Sequence, residues 1–325
     1  MMGVAALALA SCAQEEVIET SPSNVNQREI GFEMYVGNPT KTVTTTENLT
    51  AFRVWGGYDG VLDNVFNDVE ITEQSNVWKP TDVANAQYWA PGKQYNFAAY
   101  APANVGTVAA NTDNKNLNFT GVTINATTQN DFIYATADQT TSDPLTSSPG
   151  AVALNFAHKL SMIKVTISSG FNAEHTVTVS NLNIAGMYSV ADYDGASDAW
   201  SNWSALIAEG DGYTTASMGT ASTAGQGTKA ESDEFIVMSQ TLPADVKVTF
   251  HAVVTDGNNE EVGVHDFEGI LSGEWVKGSC YNYTVTLTPE MFQGGGDEEQ
   301  DIFEITFDPT VTPWNDWTDT GITVQ

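Results

Sequence analysis

The chain has 325 residues, with 11 lysines and arginines against 41 aspartates and glutamates and a formal net charge of −30. That balance excludes an electropositive groove for a phosphate backbone, so no nucleic-acid partner is expected. The 41% hydrophobic and 10% aromatic residues exclude a disordered acidic chain, and the length favours two domains.

The chain opens "MMGVAALALASCAQEEVIE", a short run of small apolar residues ending at Leu9-Ala10-Ser11-Cys12 and followed at once by acids. This resembles the lipobox of a bacterial lipoprotein signal, in which small residues admit the peptidase and the cysteine thiol receives the lipid. The expectation is a signal peptide over 1–12, lipidation at Cys12, and export to the outer membrane and cell surface with the lipid as membrane anchor. A chance cysteine after an apolar N-terminus is the alternative. The basic residues that normally precede such a run are missing, so a start codon further upstream is expected. Residues 13–28 read as an acidic linker or pro-segment, and Glu15, Glu16 and Glu19 resemble a surface-export tag. Past the first dozen residues no apolar stretch is long enough for a membrane helix. A lipidated Cys12 leaves Cys280 without a disulfide partner, and Cys280 reads as a small buried hydrophobe in a strand.

The body is rich in Thr, Val, Asn, Gly and aromatics in short alternating runs, which predicts an all-β fold. Strands are expected over 30–36, 50–56, 94–100, 117–124, 131–136, 151–156, 160–168, 175–184, 234–238, 246–255, 262–267, 281–288 and 302–311. Residues 201–210 read as one or two helical turns, and 214–234 as a long surface loop. The polar, proline-bearing stretch 138–150 is the expected connection between halves. That divides the body into an N-terminal β-sandwich over 29–148 and a C-terminal one over 149–325, the strands spaced as in Greek keys.

Signatures of catalysis are sparse. His158, His175, His251 and His265 stand apart, with no metal-ligand spacing, nucleophile elbow or phosphate loop. The chain is therefore read as a non-enzyme with no catalytic residue, no metal and no cofactor. Asp192, Asp194 and Asp198 in "DYDGASD" lack the rest of a calcium loop and read as a solvated turn. Trp200, Trp203, Trp314 and Trp317 read as packing at strand ends, with sugar stacking as the alternative.

Near the end the chain places its only glycine triplet, Gly294, Gly295 and Gly296, which reads as a hinge. After it Phe303, Ile305, Phe307, Pro309 and Val311 alternate with polar residues, giving a terminal strand over 302–311 with one apolar face. Asp297, Glu298, Glu299, Asp301, Glu304 and Asp308 punctuate this tail without a basic residue, which discourages it from collapsing on an acidic body. On residues alone, a tail that completes its own sandwich and a tail offered to another molecule are equally good readings.

In order along the chain, "IGFEMYVGNPTK", "LTAFRVWGGY", "NDFIYATA", "LNFAHKLSMIKVTI", "DEFIVMSQTLP", "EWVKGSCYNYTVTL" and "ITFDPTVTPWNDW" follow the lipobox. Together they resemble the fimbrillin family, type V pilins and related surface lipoproteins of gut and oral Gram-negative anaerobes. The resemblance implies two tandem transthyretin-like Greek-key β-sandwiches and a fimbrial subunit that supports adhesion. It implies assembly by donor-strand exchange, with other fimbrial subunits, a trypsin-like processing protease and a host glycan or protein as partners. Phe303, Ile305, Phe307 and Val311 would then be the donor strand. Processing falls at Arg28 or Lys41: a cut at Arg28 releases little apolar surface, whereas one at Lys41 also frees Ile30, Phe32, Met34 and Val36. A permanently anchored binding lipoprotein, or a fimbrial anchor that does not polymerise, is the other reading.

Overall fold

The computed structural model describes residues 28–36, 49–113, 115–127, 129–222, 227–292 and 303–313. Among them every regular element is a strand, apart from 3-10 turns at Val83–Asn85, Glu209–Asp211 and Pro289–Phe292, so the fold is all-β. The first half contributes β1 (Phe32–Val36), β2 (Ala51–Tyr58), β3 (Phe66–Gln74), β4 (Val77–Pro80), β5 (Gln94–Ala101), β6 (Thr107–Ala110), β7 (Leu117–Thr123) and β8 (Ile133–Thr140). Then come β9 (Val152–His158), β10 (Ser161–Ser169), β11 (Thr176–Ala185), β12 (Tyr188–Asp194), β13 (Ala199–Leu206), β14 (Tyr213–Ser222), β15 (Ala230–Glu231) and β16 (Phe235–Val237). The last are β17 (Val246–Thr255), β18 (Glu261–Leu271), β19 (Ser279–Leu287), β20 (Phe303–Ile305) and β21 (Asp308–Pro313).

Alternation drives most of these strands. In β17, "VKVTFHAVVT", Val246, Val248, Phe250, Ala252 and Val254 are buried and every residue between them is half-exposed, as a strand with one core-facing side requires. Other strands are buried on both sides because they serve as walls between two cores. In β5, Tyr95, Phe97, Ala99 and Ala101 enter the first core while Ala98 and Tyr100 enter the second. In β10, Ile163, Val165 and Ile167 enter the third core and Met162 the second.

Three packed layers result. The order β1-β4-β3-β2-β5-β8-β9 closes into a barrel around the first core. Two five-stranded sheets, β15-β10-β19-β21 with β16 beside β10 and β14-β11-β17-β18-β20, pack their faces together around the third. Between them lies a core built from both halves, with Phe119, Phe132 and Tyr134 meeting Met162, Tyr193 and Ile236. The sheet β13-β12-β7-β6 joins the halves directly, since β12 pairs with β7 from Asp194↔Asn118 to Val190↔Thr123. Strand pairing therefore runs across 138–150, and β9, beyond that stretch, closes the barrel of the first half.

Two local expectations are corrected. Residues 201–210 do not form helical turns: most of the segment belongs to β13, followed by a 3-10 turn at Glu209–Asp211. Trp200 and Trp203 share a face at a spacing of three because left-handed Asn202 (φ 54°) and a register shift against β12 break the period of two. The small-residue run after residue 213 is likewise β14, not a loop, over Tyr213–Ser222. An extra residue in β14 itself, Met218, opposite the Val179/Ser180 step of its partner β11, spaces the buried Thr215, Met218 and Ala221 at threes, which hides the strand from a search for strict alternation.

Candidate assembly strands at the two ends of the chain

β1 enters the barrel through a short antiparallel stretch against residues 87–89. The Arg28 carbonyl accepts from the Trp89 N–H at 2.8 Å, Glu29 bridges Tyr88, and the Ile30 N–H donates to the Gln87 carbonyl at 2.8 Å. β1 then runs parallel to β9 from Phe32↔Val152 to Val36↔Phe156, but touches β4 on its other side only at Phe32↔Trp78. Ile30, Phe32 and Val36 are at most 1% exposed, Met34 packs partly against the same core, and Tyr35 points outward. The Phe32 ring lies 5.6 Å from that of Phe66, 5.9 Å from Phe97 and 6.0 Å from Phe52, two of the three edge-on. It is a knob in an aromatic socket.

The tail behaves differently from a single strand over 302–311. β20 pairs parallel with β18 at Phe267↔Phe303 to Gly269↔Ile305, and β21 pairs antiparallel with β19 from Thr284↔Asp308 to Ser279↔Pro313. Between them the chain passes from one sheet of the sandwich to the other. Ile305 and Phe307 are buried in the third core, and Phe307 meets the Tyr283 ring edge-on at 6.3 Å. Gly269 makes the crossing possible, because a Cβ there would stand 2.6 Å from the Phe307 ring and 3.0 Å from Ile305. Val311, expected on the buried face, is 55% exposed. Once the chain has changed sheets, the alternation that runs through Ile305 and Phe307 no longer points at the same core.

The proposed cleavage points differ in what surrounds them. Arg28 is exposed, but its peptide group is held by Trp89 and its guanidinium Nη2 reaches the Leu145 carbonyl at 3.5 Å. Cys12, Lys41, the hinge Gly294, Gly295 and Gly296, and Trp314 and Trp317 lie outside the described residues.

The acidic turn between β12 and β13 is occupied by its own chain. Asp192 accepts from the Gly121 N–H at 2.8 Å and from Asn202 at 2.7 Å, and Asp194 accepts from the Ala196 N–H and the Ser197 hydroxyl. Asp198 takes the Tyr193 hydroxyl, Lys159 at 3.0 Å and Lys277 at 3.0 Å. Burial would raise the Asp198 carboxyl, but the Tyr193 hydroxyl and the two ammonium groups outweigh it and hold it below the usual carboxylate range. Among the described residues no group of three or more His, Cys, Asp or Glu is arranged to hold a metal. Trp200 donates from Nε1 to the Lys159 carbonyl at 2.9 Å and packs on Phe132 and Tyr193, a role in the core rather than an open platform. Burial pushes the Cys280 thiol well up, so it stays protonated.

A family model described as fimbrillin-like matches residues 23–314. Among solved structures, the chain is similar to a fimbrial protein from Bacteroides vulgatus at 18% identity and a TM-score of 0.62, covering 88% of this chain and 99% of that one. It is also similar to a candidate cell adhesion protein from Bacteroides ovatus at 13% identity and a TM-score of 0.51, covering 89% and 98%. At these identities the likeness concerns the fold. A comparison with the curated proteins finds no match. The family match spans the barrel, the middle layer, the sandwich and most of the tail, and the chain belongs to the fimbrillin-like family.

Proposed function

We propose that the protein is a cell-surface fimbrial subunit, delivered as a lipoprotein through Cys12, that polymerises when a protease frees β1 and a neighbour's tail takes its place. The observation that carries this is the way β1 closes the barrel. It fills a slot inside a ring of strands, supplies Ile30, Phe32 and Val36 to the core, and continues into the body only through residues 37–48. A cut at Lys41 would leave β1 held only by noncovalent contacts, its pairing with β9 and residues 87–89 and its packing, the latter at about 1.5–3 kcal/mol for each buried apolar side chain. A cut at Arg28 would leave β1 covalently in place. The emptied slot would present unpaired backbone beside a missing slice of core, which an alternating strand can refill. Phe303, Ile305, Phe307 and Val311 have the period required, and Gly294, Gly295 and Gly296 provide the hinge.

A second reading has its own support. Ile305 and Phe307 lie in the third core of the chain that carries them, so the tail has a place at home. A subunit that keeps it there is a lipid-anchored binding protein or a fimbrial anchor. Limited trypsin digestion of the soluble protein starting at Asn26, followed by intact mass and size-exclusion chromatography, separates the two. Strand exchange requires a cut at Lys41, a ladder of oligomers, and loss of that ladder when residues 302–325 are deleted. A cut product that stays monomeric with its tail protected supports the anchored protein instead.

A further inference from the structure

A cleft of about 700 Å³ opens on the outside of the barrel, between β2, β3 and the turn that follows β4. Its floor originates in a bulge. The pairing of β2 with β3 slips between Val54↔Val69 and Gly56↔Phe66, so the single residue Trp55 opposes both Asn67 and Asp68. Asp68 takes up the extra length in a left-handed conformation, φ 53°, uncommon outside glycine but more accessible to aspartate than to most residues, and its surroundings hold it there. Two side chains do so: Arg53 donates from Nη1 to the Asp68 carbonyl at 2.9 Å, and the buried Tyr100 hydroxyl donates to Asp68 Oδ1 at 2.6 Å.

The opposite wall is held in a similar way. Asp82 Oδ1 accepts from the Ala84 N–H at 2.9 Å and caps the 3-10 turn, while the Thr81 hydroxyl lies 3.2 Å from Glu70 Oε1. Asp68, Glu70 and Asp82 are thus each fixed through one carboxylate oxygen. Among the described residues the second oxygen of each has no protein partner, nor has Arg53 Nη2 or the side-chain amide of Asn67 or Asn85. Val83, 78% exposed, adds an apolar surface at the rim.

This set discriminates between ligand chemistries. One guanidinium among three carboxylates repels an anionic ligand. A basic ligand would use the carboxylates but meet Arg53 and leave the amide donors idle. Closely spaced donors and acceptors, with a small apolar surface beside them, suit a neutral molecule whose neighbouring groups both donate and accept, as adjacent sugar hydroxyls do. We infer that this cleft binds a neutral glycan, its hydroxyls bridging the carboxylate oxygens and the Asn67 and Asn85 amides and its ring carbons resting on Val83. The inference rests on the reading of the chain as a cell-surface fimbrial subunit and gives that surface a chemical target.

The test is binding of the full chain to an array of neutral, sialylated and sulfated oligosaccharides, with an oligolysine peptide as a separate probe. Neutral oligosaccharides are expected to be retained. Asn85→Ala and Asp82→Asn, the second of which keeps the oxygen that caps the turn, are each expected to weaken retention about tenfold with unchanged thermal unfolding. Retention of anionic glycans only, binding of oligolysine only, retention that survives both substitutions, or no binding at all would overturn the inference. Polymerisation after trypsin uses neither residue, so a protein that forms the ladder and ignores every sugar refutes the glycan site and leaves the assembly reading intact.

Discussion

The first and last strands of this chain are both short, apolar on one side and tied to a core, yet they are held in different ways. β1 lies within a closed ring, with β9 along one side and β4 at one position on the other, and its inward residues all enter one core. The tail sits at the margins of two sheets, β20 beside β18 and β21 beside β19, and among its described side chains Ile305 and Phe307 are the buried ones. Removing a strand from a ring leaves a vacancy with a wall on either side. Removing an edge strand leaves a narrower sheet. Under the exchange proposed above, the β1 slot would be the receiver and the tail the segment that leaves.

The comparison breaks most easily at its strongest contact. Phe32→Ala empties a socket lined by Phe52, Phe66 and Phe97 and is expected to cost about 3–5 kcal/mol in denaturant unfolding. Phe307→Ala, at the crossing between sheets, is expected to cost about 1.5–3 kcal/mol. Equal losses would mean that the tail is as firmly seated as β1, and would favour the anchored protein over the polymer.

A smaller change acts on the tail alone. Gly269→Ala places a methyl group 2.6 Å from the Phe307 ring, so the tail must shift or the strand must bend, at about 1–3 kcal/mol. Hydrogen exchange is expected to rise in β20 and β21 while β1 and β9 keep their protection. If exchange rises equally in the barrel, the tail is not an independent unit and the contrast drawn above fails.

How much of this could be read in the order of residues follows the same division. The inward face of β1 was legible, since Ile30, Phe32, Met34 and Val36 fall at strict intervals of two and all turn toward one core. The tail was legible as a strand but not as a strand that changes sheets, because nothing local to Thr306 and Phe307 announces that partners β18 and β19 lie in different sheets. β3 was missed for a related reason: in "FNDVEITEQ" the bulge at Asp68 displaces the apolar period and leaves only Phe66 and Ile71 fully buried. The cleft went unread with it. Its residues come from three segments, and the contact that fixes Asp68 comes from Tyr100 on β5, so no single stretch of sequence carries the pattern.

Alkaline pH provides a gentler probe of the same contrast. Burial pushes the Tyr283 hydroxyl up to about 12, against about 10 in an unfolded chain. Below pH 10 the tyrosine is protonated in both states and its contribution is complete. Between about 10 and 12 the unfolded state loses its proton first, so the folded state binds more protons and stability falls as pH rises. Phe307 packs against this ring, so deleting residues 302–325 should expose it, bring its pKa closer to 10 and shrink the loss over that window. An unchanged slope in the deletion variant would show that the tail does not shelter Tyr283.

The smallest effect on stability should come from Pro309 and Pro313, yet it tests the edge position of the tail most directly. The two prolines share a parity with Val311 along β21 and have no N–H, so the donors that pair with β19 belong to the intervening residues Thr310 and Thr312. The outer rim is left with the Val311 N–H as its donor, a poor template for another strand. Replacing both prolines by alanine restores two outward donors without emptying any core, and should shift unfolding by no more than about 0.5 kcal/mol. Uncut protein carrying both changes is then expected to self-associate side by side as its concentration rises, visible in sedimentation velocity, while the parent chain stays monomeric. If the double variant stays monomeric as well, the charge of −30 on each copy is enough to keep the edges apart, and the prolines serve the turn geometry of the tail rather than its insulation.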